Sequence, residues 1–164
     1  MDGRALYDDD ILEWSEQQAA ALRQVARARP SLSNAIDWEN VAEEIECVGR
    51  SELAAVRGLL RQIMIHLIKA VSDPETASFS HWRKEVAAFH DDLLDRASRS
   101  MLQRVDADDL WVRALNRAEA DLADQGRTVW PGLPKTCPVS LADISAPEFD
   151  FAGTVARLRE SAAD

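Results

Sequence analysis

The chain has 164 residues, enough for one domain with a buried core, and its 46% hydrophobic and 29% charged residues are the proportions of a folded globular protein. Its 19 basic and 29 acidic residues leave a formal net charge of −10, a field that repels nucleic-acid phosphates and anionic lipid and so argues against both as partners. The two cysteines, Cys47 and Cys137, have no CxxC spacing and no clustered histidines, which argues against a disulfide scaffold or a common structural zinc site.

The chain begins acidic and polar, without the basic and then apolar order of a secretory signal. Its most apolar run, Ile63 to Val71, is interrupted by His66 and Lys69 and falls short of the roughly 20 apolar residues of a membrane span. The expectation is a soluble, cytoplasmic protein with no membrane contact.

Five helices are expected in chain order. Tyr7-Asp8-Asp9-Asp10 opens the first, placing acids at the positive end of the helix dipole. Leu12, Ser15, Ala19, Leu22 and Ala26 form its inner stripe. Pro30 forces its predecessor out of helical space, so Arg29 to Asn34 reads as a loop. Asp37 caps the second helix, with Trp38, Val41, Ala42, Ile45 and Val48 on one face. Gly49 either continues that helix at a cost of about 1 kcal/mol or kinks it. The Ser51-Glu52 start signal favours a kink and a new segment.

The third helix, Ser51 to Ser72, carries Leu53, Val56, Leu60, Ile63, Met64, Leu67 and Val71 in one stripe. Leu59, Ile65 and Ile68 widen it until most of the circumference is apolar, as in a buried helix. Asp73-Pro74 ends it. The fourth runs from Ser78 or Ser80 to about Arg104 with Trp82, Val86, Phe89, Leu93, Ala97 and Met101 inside. The fifth starts at Asp106, uses Trp111, Leu115, Ala118 and Leu122, and stops at Gly126. Four prolines then punctuate an irregular stretch with a helical turn at Ser140–Ile144 and a short helix near Phe149–Leu158. The fold class is therefore all-α: a bundle of about five helices forming one domain over 1–164, with a core at about 7–126 and a Pro-rich extension at about 127–164.

Five segments carry a family resemblance: Tyr7 to Trp14 (YDDDILEW), Asp37 to Gly49 (DWENVAEEIECVG), Met64 to Ala70 (MIHLIKA), Ser80 to Trp82 (SHW) and Leu133 to Pro138 (LPKTCP). In this order they resemble the bacterial domain-of-unknown-function family 29, over Tyr7 to about Ile144. Ala70 stands where that family commonly has an aromatic residue. The resemblance implies a helical, intracellular bacterial domain and brings no activity with it.

The chemistry-bearing group in this pattern is Glu39, Glu43, Glu44 and Glu46 together with His66. Helical spacing sends Glu39, Glu43 and Glu46 to solvent and leaves Glu44 at the margin of the apolar face. His66 falls on a polar edge with Gln62, Lys69 and Asp73. A half-buried carboxylate and imidazole can serve as acid and base or as metal ligands. The catalytic candidates are accordingly Glu44, His66 and Lys69, and the metal candidates Glu43, Glu44 and His66. No HExxH or Glu-x-x-His pair supports a metal, and the competing reading is an ion pair fixing helix register, with Lys69 paired to an acid.

His81 and Glu85, four apart, read as a solvated face with His90, Asp91 and Asp92 beyond. Trp38 and Trp82 read as core anchors and Trp130 as a surface contact. The carboxylates around Cys47 oppose a thiolate, and Cys137 lacks a base. Arg23, Arg27 and Arg29, with Arg96, Arg99 and Arg104, complement helix C-termini rather than marking a nucleic-acid patch. No glycine cluster cradles a phosphate, and no cofactor is expected. Three functions follow in order. The first is a non-catalytic helical protein acting through contacts with a protein partner or as a homo-oligomer. The second is an enzyme or metal-binding protein centred on Glu44 and His66. The third is an acidic, antitoxin-like regulator.

Overall fold

The structure, a computed structural model, describes residues 3–29 and 36–160. Among these residues there are eight helices and no strand: α1 (Gly3–Asp9), α2 (Ile11–Ala28), α3 (Trp38–Ser72), α4 (Phe79–Arg96), α5 (Arg99–Gln103), α6 (Ala107–Ala123), α7 (Leu141–Ile144) and α8 (Phe151–Glu160). The all-α class holds. Two compact units are formed, Met1–Val56 with Ala97–Arg104, and Arg57–Arg96 with Val105–Asp164, and α3 contributes to both. Among the described residues no helix is long and apolar enough to cross a membrane. The expected Arg29–Asn34 loop lies, from Pro30 onward, outside them.

In the first unit, Asp10 alone is the cap of α2. It leaves helical space at φ −152° and accepts the Glu13 N–H at 3.1 Å, while Tyr7 to Asp9 close the preceding α1. Leu12, Ser15 and Ala19 are the buried face of α2. Opposite them, α3 is continuous through Gly49, and no new segment starts at Ser51. The glycine serves close approach instead. A Cβ at Gly49 would collide with Ser15 Oγ and stand 3.0 Å from Leu12 Cα, so helix contact offsets its poor propensity.

This contact also turns the expected inner face of the second helix. Ala42 and Gly49 are buried, whereas Val41 and Val48 are 41% and 46% exposed. The expected fourth helix is broken as well. Ser98 is extended, and its Oγ accepts the Met101 N–H at 3.3 Å to start α5. Ser100 Oγ then donates to Asp10 Oδ1 at 2.8 Å, and Arg104 pairs with Glu16, which fastens α5 to α2.

In the second unit, Leu60, Ile63, Met64, Leu67, Ile68 and Val71 of α3 are fully buried. Trp82, Val86 and Leu93 of α4 and Trp111, Ala114, Ala118 and Leu122 of α6 supply the surrounding core. Asp106 caps α6 by accepting the N–H groups of Asp108 and Asp109. After α6, Gly126 at φ 68° follows, and the Arg127 N–H returns to the Leu122 carbonyl at 2.9 Å.

The Pro-rich segment belongs to this unit's core. Ile144, Phe151, Val155 and Leu158 are buried, and α8 packs against α4. Proline prevents a long helix there but does not prevent burial.

Candidate functional site

The apolar run of α3 forces His66 into the second unit's interior, where its side chain is only 8% exposed. Its Nδ1 lies 2.8 Å from the carbonyl oxygen of Gln62, one turn back. A carbonyl only accepts, so Nδ1 carries a proton and donates. Nε2 lies 3.0 Å from Oε2 of Glu85 on α4. An ionised carboxylate also only accepts. The contact therefore needs one more proton, carried by the imidazole or by Glu85.

The same Oε2 is 3.4 Å from Nε2 of His81, one turn earlier on α4. Exposure rises outward from His66 through Glu85, at 38%, to His81, at 70%. The Phe89 ring stands 5.7 Å from the His66 ring.

Lys69, one turn beyond His66, is paired with Asp121 of α6 at 3.7 Å and lies 5.1 Å from the centre of the Trp82 ring. The expected acidic partner for Lys69 is present. With a carboxylate and an aromatic face on its ammonium, Lys69 is a link between α3, α4 and α6.

The structure does not bring Glu44 to His66. Both stand on the continuous α3, about six helical turns apart in sequence, and Glu44 is exposed. The carboxylate that reaches His66 is Glu85. A signal for it was present: Glu85 stands at i+3 from Trp82 and i−4 from Phe89, inside the apolar stripe of α4 rather than on its solvated face. His90 likewise lies between Val86 and Leu93 on that stripe. It is buried, and its Nε2 donates to the Ala146 carbonyl at 3.0 Å.

Glu43 is exposed. Glu39 faces solvent as expected, whereas Glu46 is half-buried, and Arg23 of α2 clamps both, at 2.7 Å and 2.5 Å. Cys47 has a cation beside it, the Arg50 guanidinium donating to its Sγ at 2.8 Å. Burial pushes the Cys137 thiol up, the direction opposite to activation. Trp130 is not a free surface aromatic: Arg159 lies 4.7 Å from its ring centre and Gly132 is packed on the ring. Among the described residues no three His, Cys, Asp or Glu side chains stand already gathered as a metal site.

A long central helix and a histidine–glutamate contact with its neighbouring helix define an all-helical protein in which polar side chains are held between packed helices. The chain belongs to the family described as domain of unknown function DUF29, which it matches over residues 6–150. It is also similar to an alpha-helical protein of unknown function from Rhodospirillum rubrum, known from a 1.45 Å crystal structure. The two are 39% identical, the match covers 93% of this chain and 96% of that one, and the TM-score is 0.89. No curated protein matches the chain.

Proposed function

We propose that the protein acts by contact with another protein chain, through the exposed edge of α3, and that the partner is a second copy of itself. The observation that carries this reading is the exposure of Val41 and Val48, 41% and 46%, one heptad apart on a 35-residue helix. Half-buried Ile45 continues the line between them. Scattered exposed valines are ordinary, but apolar residues in helical register form the row that a partner helix meets when two helices cross at a shallow angle. About a two-fold axis at Ile45 the row is its own complement, with Val41 of one copy against Val48 of the other. The net charge of −10 disfavours a polyanion in the same place.

Size-exclusion chromatography with light scattering, run across the micromolar range, tests this. The expected result is a dimer that the Val41→Glu/Val48→Glu double variant converts to monomer with an unchanged circular dichroism spectrum. A wild-type chain that stays monomeric throughout overturns the reading.

A further inference from the structure

We propose that the cavity between α4 and the start of α8 binds a small zwitterion, an ω-amino acid whose carboxylate and ammonium groups are separated by an apolar chain. The site lies within the second unit and uses no residue of the α3 edge. The starting point is His90, which is only 8% exposed. Its Nε2 donates to the Ala146 carbonyl at 3.0 Å, so Nδ1 of the neutral ring keeps a lone pair, for which the described residues offer no donor. No fully buried side-chain nitrogen or oxygen among them lacks a partner. Nδ1 therefore reaches open space, and the space that His90 borders is a cavity of about 240 Å³.

Two charged residues of the lining stand at opposite ends of this cavity. Arg83 and Asp91 are exposed, and neither has an ion-pair partner among the described residues. They share one edge of α4, about two helical turns apart in sequence. The start of α8 runs along the same line. Phe79, one turn before Arg83, lies against Phe151, and the Phe149 ring lies 5.6 Å from that of His90. The Phe151 end of the cavity is thus cationic through Arg83, and the Phe149 end offers the Asp91 carboxylate and the His90 lone pair. Asp150, the remaining charged residue of the lining, is engaged at the start of α8, where it accepts the Gly153 N–H at 3.0 Å.

A guanidinium takes a carboxylate in two parallel hydrogen bonds. An ammonium has donors for both a carboxylate and an imidazole lone pair, and a neighbouring aromatic ring adds attraction for the cation. Between the two ends, Val86 and Phe151 supply apolar surface for a chain. An α-amino acid carries both charges on one carbon and reaches one end only. The cavity is smaller than the ~300–1,000 Å³ of sites for drug-sized ligands, which restricts the occupant to a short chain.

Titration of the isotope-labelled full chain with ε-aminocaproate, followed by amide chemical shifts, tests the site. The expected result is saturable binding at millimolar concentration or below, with shifts on α4 and the start of α8. Caproate and hexylamine, each lacking one charge, should bind at least about tenfold more weakly, and so should ε-aminocaproate to Arg83→Ala and to Asp91→Asn, since each loses a charge-assisted hydrogen bond. Both side chains are exposed, so both variants keep the fold, which circular dichroism verifies. Absence of saturable binding overturns the proposal. Equal binding of caproate or hexylamine, or undiminished binding in either variant, overturns it too, since the cavity then takes apolar chains without reading their charges.

Discussion

Gly49 and Gly58 stand on the same helix and call for opposite predictions. Nothing lies within 4 Å of a Cβ added at Gly58. Gly58→Ala should therefore stabilise by about 0.5–1 kcal/mol through helix propensity alone. At Gly49 the added methyl meets Ser15 Oγ and the backbone of Leu12, and the overpacking cost of ~1–3 kcal/mol exceeds the same propensity gain. Urea denaturation should move the two midpoints in opposite directions. Asp10 is a second case. Burial raises its carboxyl, but hydrogen bonds from the Glu13 N–H and from Ser100 outweigh that and hold it below its ordinary value of 3.8. A depressed carboxylate contributes stability above its unfolded value and loses it as pH falls through the folded one. Asp10→Ala should therefore cost ~0.5–2 kcal/mol at neutral pH, as the loss of a cap does. Melting curves of wild type and variant should draw together below pH 3.8.

At the scale of elements, α2 and the first half of α3 are joined by a close apolar contact and by one charged clamp. Arg23 bridges Glu39 and Glu46 from the facing helix. Because Glu39 is largely exposed, Arg23→Ala should cost little stability. The loss should shrink at high salt, which denaturation at two ionic strengths will show. Helix starts were legible wherever a capping residue precedes a fresh apolar stripe, as at Asp37, Asp106 and Ser140. The break at Ser98 was not. Leu93, Ala97 and Met101 keep helical spacing across it, and the serine serves as a cap where Asp10 at the start of α2 holds Ser100.

At the scale of the whole molecule, the described residues after Pro138 form part of the second unit's core. Ile144, Phe151, Val155 and Leu158 are buried there, and Phe151 lies against Phe79. Burying one such side chain contributes roughly 1.5–3 kcal/mol, so removing four rivals the total stability of ~5–15 kcal/mol of a typical domain. A chain ended at Pro138 should lose near-UV circular dichroism and a cooperative melt. Retention of both would mean that α8 is a dispensable appendage. The match to DUF29 ends at residue 150, just before α8.

The apolar periodicity of α3, α4 and α6 determined by itself that the protein is all-helical and that the segment around His66 is central, because burial of a helix is written in the spacing of its own residues. The order of local motifs sufficed for the family. Which residue answers His66 was decided only by tertiary structure. Glu44 lies at the margin of its apolar stripe and Glu85 within that of α4, and sequence spacing does not tell which stripe packs beside the imidazole. The role of Gly49 had the same origin: a glycine that ends a helix and one that admits a neighbouring helix look alike until the neighbour, here Ser15 and Leu12, is in place.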